Sequence, residues 1–312
     1  MSLDILKALT TSEGNGTIIP AVLDPMLVEL ADKETPVRML IPRIKWTTNS
    51  CQWNVRSALS TSAFYNETST FSGTNSTYAR RTATIAMMKQ EGTVSQLLID
   101  SSGGYIDALQ AEIEGATKSL AQKEELALIM ANYGGVGGGY YDANGFDGIA
   151  HQIADAGKDV DANGASLGSA AGLNAVDTAI SEIQSVGGKP NLILCSPTDL
   201  MALNQYMRDK MTYNWERVDQ LLGTVVSYYQ GIRILPSQFI PSGLAYETTP
   251  TTTGSIVLVL DTNTIVVPVL RSLTYEDVIA STTDGKSFRI KMYETVAVKA
   301  REKNRLVVNI IS

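Results

Sequence analysis

His151 is the only histidine in the 312 residues. That removes most metal centres and most nucleophile–histidine–acid triads, because each needs an imidazole at a chosen place. Gly164-Ala165-Ser166-Leu167-Gly168 has the Gly-x-Ser-x-Gly spacing of a hydrolase nucleophile turn. That chemistry needs a strand before the turn, a helix after it and a histidine later in the chain. Here an Asp/Asn-rich loop precedes the turn and His151 lies upstream, so Ser166 is not expected to be a nucleophile. Cys195 ends the apolar run Asn191-Leu192-Ile193-Leu194 and reads as a small core residue rather than the thiol of a Cys–His pair. Cys195 and Cys51 read as free thiols of a reducing compartment, with one disulfide between them as the alternative.

Asp159-Val160-Asp161-Ala162-Asn163-Gly164 matches the first half of an EF-hand calcium loop. The twelfth position, which should supply a bidentate Glu, is Ala170, so a loop of Asx-turns is favoured over a cation site. The Gly134–Gly139 cluster lacks the Gly-Lys-Ser/Thr ending of a phosphate loop and reads as a joint. No paired-carboxylate constellation stands out among the scattered acids. The chain is therefore expected not to be an enzyme, and to use no cofactor or metal.

Charge and composition point to a globular protein. Hydrophobic residues make up 44% and charged residues 18%, which does not fit a disordered chain. No apolar run approaches the roughly 18 residues of a membrane span, and the start Met1-Ser2-Leu3-Asp4 does not read as a secretory signal. The net charge of −7 is unevenly placed. Residues 46–89 hold four bases and one acid, or +3, whereas residues 99–131 hold two bases and six acids, or −4. A basic arm and an acidic helix could pair between copies. No concentrated basic stripe of a nucleic-acid binder is present.

The elements follow from punctuation and periodicity. Asp24-Pro25 opens a short helix that Pro36 is expected to end, followed by an extended apolar segment from Val37 to Trp46. In residues 47–77, 14 of 31 positions are Ser or Thr, with Trp53, Phe64, Tyr65 and Phe71 among them. The stretch Gln52–Arg56 and the stretch Ala79–Met88 read as the strands of a long hairpin with a wide polar tip. Such a hairpin has no core of its own and is marginal alone in water, so it reads as an arm ordered on a neighbouring molecule. Asp100, Ser101 or Ser102 is expected to cap a helix to about Asn132, with Ile106, Leu109, Ile113, Ala116 and Leu120 on one face. An α/β stretch over 140–270 contains a helix capped by Asn174 and stopped at Gly187-Gly188, and a strand ending at Cys195. Ser196-Pro197-Thr198-Asp199 is a capping-box variant. The stretches 255–260 and 264–270 read as strands around an Asp261-Thr262-Asn263 turn, and 287–311 as two or three closing strands.

Two stretches carry a family resemblance. Thr17-Ile18-Ile19-Pro20, Leu23-Asp24-Pro25 and Pro36-Val37-Arg38-Met39-Leu40-Ile41-Pro42 open the chain, and Tyr293-Glu294-Thr295-Val296-Ala297-Val298 with Arg305-Leu306-Val307-Val308 closes it. Together with the order of elements, these resemble the major capsid proteins of tailed bacteriophages. The resemblance implies an α+β Hong Kong 97-type fold: an N-terminal arm with the first peripheral elements (1–45), an extended loop (46–89), a peripheral domain with a long spine helix (90–139), an α/β axial domain (140–270) and peripheral closing strands (271–312). It also implies self-assembly through hexameric and pentameric units into an icosahedral head enclosing double-stranded DNA. An encapsulin-like nanocompartment shell is the alternative.

On this resemblance the assembly interface would include Trp53, Arg56, Phe64, Tyr65, Phe71, Tyr78, Arg80 and Arg81. The partners would be the protein itself, a portal, a separate scaffolding protein and packaged DNA bound without specificity, with no membrane. The protein would reside in the virion capsid after assembly in the host cytoplasm. Some such proteins cross-link through a lysine in the extended loop. No lysine lies between Lys45 and Lys89, so a noncovalent shell is expected. Others carry a long N-terminal scaffolding region, for which the stretch before residue 17 leaves no room.

Overall fold

The structure is a computed structural model that describes residues 33–70, 73–102, 107–136, 139–210, 216–218, 225–240, 244–245, 253–278 and 284–311. The helix expected at Asp24-Pro25 lies outside these residues, as does Ile106. Pro36 begins a helix rather than ending one: α1 spans Pro36–Leu40, with Pro at its first turn, where its missing N–H costs nothing. The apolar segment is accordingly extended only from β1 (Arg43–Lys45) onward.

Two strands, β2 (Ser50–Ala58) and β3 (Thr77–Thr84), form the hairpin, pairing Trp53 with Arg81 and Arg56 with Tyr78. The stretch read as one strand from Ala79 to Met88 breaks at buried Ile85, and β4 (Ala86–Ser95) joins a different sheet. Next come α2 (Gln96–Ser102) and the long α3 (Ala108–Met130). The expected caps Asp100, Ser101 and Ser102 lie inside α2. Asp107 caps α3 instead, its carboxylate accepting from the N–H groups of Leu109 and Gln110 at 3.0 and 3.1 Å. At 23 residues, α3 is about 35 Å long.

Beyond α3 lie α4 (Ile149–Ala154), β5 (Asp159–Asp161) and α5 (Ala170–Ser185). Ser169, not Asn174, caps α5 by accepting from Gly172 N–H, which puts Asn174 in its second turn. Gly187 ends the helix region at φ 73°, a conformation that favours glycine. β6 (Leu192–Cys195) leads into α6 (Pro197–Lys210), whose first turn is capped as expected: Asp199 N–H donates to Ser196 Oγ at 3.1 Å.

The remaining strands are β7 (Glu216–Val218), β8 (Val225–Tyr229), β9 (Ile232–Pro236), β10 (Leu244–Ala245), β11 (Thr253–Leu260), β12 (Ile265–Val278), β13 (Gly285–Glu294), β14 (Ala297–Val298) and β15 (Arg305–Ile310). The strands on either side of Asp261-Thr262-Asn263 do not form a hairpin. A 3-10 turn at Thr262–Thr264 sends β12 into the other sheet.

Among the described residues, the larger sheet runs β5-β15-β11-β6-β9-β8-β7 with β10 beside β11, and the smaller runs β1-β12-β13-β4 with β14 beside β12. Alternation along β11 explains how the larger sheet is covered. Ile256, Leu258 and Leu260 face the end of α3 and α4, while Val257 and Val259 face α5. The first half of α3 packs Leu109, Ile113, Ala116 and Leu120 on Phe288, Ile290 and Met292 of β13. One helix thus serves both sheets. Sheet membership also crosses the boundary expected at residue 270, because β12 starts at Ile265 and β15 lies in the larger sheet. No helix among the described residues is long and apolar enough to cross a membrane.

Candidate assembly interface

The hairpin divides into a fixed root and an outer part. At the root, Cys51 is buried with Val266 and Ala297, and Ile44, Trp46, Trp53 and Ala83 pack around them. Burial pushes the Cys51 thiol up, with Lys299 pulling the other way. Trp53 Nε1 donates to the Lys299 carbonyl at 3.0 Å, and Arg81 clasps Glu302 through both terminal nitrogens, one contact at 3.2 Å. Two predicted interface residues, Trp53 and Arg81, therefore tie the arm to its own chain.

Further out, the strands lose their cover. Arg80 Nε reaches Asn54 Oδ1 across the pair at 3.4 Å, and the Arg56 guanidinium lies over the Tyr78 ring at 5.4 Å. Both contacts stay within the ribbon. The tip is laced by hydroxyls: Ser60 N–H donates to Ser76 Oγ and Thr61 N–H to Thr74 Oγ1. That is the local role of the Ser/Thr-rich sequence, which replaces ladder bonds with side-chain bonds. Phe64 is fully exposed, and Leu59, Tyr65 and Tyr78 are exposed too. Leu59 was missed by the sequence reading, although an aliphatic residue inside a polar run was the signal. Phe71 lies outside the described residues.

The residues tested for chemistry are placed elsewhere. Ser166 Oγ accepts from Gly168 N–H in the turn before α5, and His151 faces Asp147 at 3.8 Å from α4. Cys195 is fully buried, and burial followed by the charge of Asp199 pushes its thiol up, which opposes thiolate formation. The Asp161 carboxylate accepts from Asn163 N–H and Asn309 Nδ2, making the expected Asx-turn. The structure does bring together carboxylates that the sequence left scattered. Glu124 and Glu125 of α3 and Glu294 of β13 are buried around Arg38 and Arg43. The adjacent acids close to the buried end of α3 were the available signal, but Glu294 is too distant in sequence to be paired with them by inspection.

Comparisons with known proteins bear on the whole chain. Its fold is similar to that of a Mycobacterium phage Ogopogo structure, with TM-score 0.69 and 16% identity over 96% of this chain and 99% of that one. It is similar to the Cyanophage A-1(L) capsid asymmetric unit, with TM-score 0.68 and 17% identity over 97% and 100%. It is also similar to the holo-SrpI encapsulin complex from Synechococcus elongatus PCC 7942, with TM-score 0.68 and 13% identity over 94% and 93%. The comparison with curated proteins gives no match. The SU10 major capsid protein family profile matches residues 10–310. With that match spanning nearly the whole sequence, and with a projecting hairpin and a long helix joining two sheets, the chain belongs to the SU10 major capsid protein family and is a phage major capsid protein.

Proposed function

We propose that the hairpin within residues 46–89 is the extended loop that lies across a neighbouring subunit and carries much of the shell's cohesion. One observation supports this above others: the outer hairpin exposes Leu59, Phe64, Tyr65 and Tyr78 on a ribbon with no core of its own. A two-stranded ribbon of this kind is not independently stable in water, and a second copy supplies the missing cover. Arg56, Tyr78, Arg80, Phe64 and Tyr65 then meet the neighbour, with Phe71 among them, while Trp53 and Arg81 set the angle at which the arm leaves.

The smaller sheet with α3 forms the peripheral unit in this reading. The larger sheet within 140–270 forms the axial unit, which β15 rejoins. The shell is held by noncovalent contacts, because the loop sequence lacks a lysine between Lys45 and Lys89. Its work is assembly rather than catalysis. A portal and a separate scaffolding protein complete the head, DNA is enclosed without sequence recognition, and assembly takes place in the host cytoplasm. The family match favours a phage head over a nanocompartment.

Deleting residues 57–77 tests the arm. The expected result is a folded chain, by circular dichroism, that forms no stable shells in electron micrographs. Normal shells from the deletion would sink the reading.

A further inference from the structure

Five charged side chains meet where α1, β1, α3 and β13 converge. Arg38 Nε lies 2.6 Å from Glu124 Oε2. Arg43 holds two carboxyls side by side, Glu294 through Nη1 at 3.1 Å and Glu124 through Nη2. Glu125 takes a different role. Its oxygens accept from the N–H groups of Val37 and Arg38 at 2.9 and 2.7 Å, satisfying the start of α1. All three glutamates are buried. Glu294 Oε1 is also buried and accepts from no protein donor.

Three carboxyls face two guanidiniums, so full ionisation would leave one uncompensated negative charge. A buried, unpaired carboxylate is costly enough that such a group holds a proton instead. A proton held on Glu294, whose Oε1 accepts from no donor, removes the surplus charge. Beside this junction lies a cleft of about 600 Å³, lined among others by Arg38, Arg43, Lys45, Arg271 and Glu294. Among these, Arg271 is engaged by Glu276 at 2.8 Å.

We propose that the proton on Glu294 makes this junction a latch: while it is held, Pro36–Lys45 stays clamped to α3 and β13, and its loss loosens that segment. The arm begins at Ser50, five residues beyond Lys45, so the latch fixes where the arm is rooted. Its consequence for assembly rests on the arm reading, but the latch itself does not.

The direction of the pH effect follows from the surroundings. Burial, then the Glu124 charge, pushes Glu294 up to about 8, against Arg43. Burial pushes Glu125 up to about 7, against the two N–H bonds. Both carboxyls hold protons more tightly in the closed junction than in an open segment. Closure is therefore favoured most in acid, and its advantage shrinks as pH rises from the ordinary carboxylate range to about 8.

Hydrogen exchange of the amides of residues 36–45 in the full chain tests this, corrected for the intrinsic pH dependence of exchange. Protection is expected to fall by at least about tenfold between roughly pH 5 and pH 9 and then level. Glu294→Gln, fixed neutral at the same shape, should retain more protection at about pH 9 than the parent. Glu125→Gln/Glu294→Gln should be nearly independent of pH. Constant protection in the parent chain, or an equal fall in Glu294→Gln, overturns the latch. If the variants do not fold, the carboxyl carbon shift of Glu294 in the parent decides. A midpoint near 8 supports the latch, and one in the ordinary carboxylate range overturns it.

Discussion

Single residues fix this molecule most firmly where polar groups are buried. Asp199 is fully buried at the start of α6, where its carboxylate accepts from the Ser196 hydroxyl at 2.8 Å and from the Ser255 hydroxyl of β11. One acid therefore joins a helix start to the larger sheet. Asp199→Ala leaves two buried hydroxyls without that acceptor and should lower stability by about 2–3 kcal/mol in urea denaturation. The sequence showed half of this arrangement. The spacing Ser196-Pro197-Thr198-Asp199 gave the cap, but nothing local could show that Ser255 also donates to Asp199. The same limit hid the charged junction, whose members come from residues 38, 43, 124, 125 and 294.

At the scale of elements, start and stop signals were legible and their exact positions were not. The apolar face of α3 was found because Leu109, Ile113, Ala116 and Leu120 recur at helical spacing and pack on β13. Its cap was misplaced because Asp100, Ser101, Ser102 and Asp107 are all acceptable residues, and only the backbone geometry selects among them. Asp107→Ala should cost about 1 kcal/mol in thermal or chemical unfolding, whereas Ser101→Ala should change stability by less than about half of that. A second close contact sits at the far end of the helix. A β-carbon at Gly148 would lie 2.6 Å from Ala131 N and 2.8 Å from Ala127 O. Gly148→Ala should therefore part α3 from α4 and lower the melting temperature by several degrees, on the order of 2–4 °C per kcal/mol lost. The hairpin was readable for the opposite reason, because its Ser/Thr-rich outer part supplies no core of its own.

The whole molecule carries its charge in separate blocks, and the arm is one of two basic ones, the other being residues 271–312. Arg56 and Arg80 stay exposed beside Tyr78, whereas Arg81 is engaged by Glu302. Exposed charges of this kind act over roughly 10 Å at moderate ionic strength, and salt screens them. Raising salt should therefore shift unfinished assemblies towards free subunits in light scattering, while finished shells should change little. The general architecture was recoverable because the order of arm, hairpin, long helix, α/β middle and closing strands survives in the sequence. Membership of the two sheets was not, since it depends on which edge each late strand reaches. β15 shows what this means for synthesis. In the finished sheet it lies between β5 and β11, although it follows both in the chain. A growing chain that leaves the ribosome N-terminus first thus displays two open strand edges until residues 305–310 emerge. The larger sheet closes only then, which delays any productive meeting of subunits until β15 has been made.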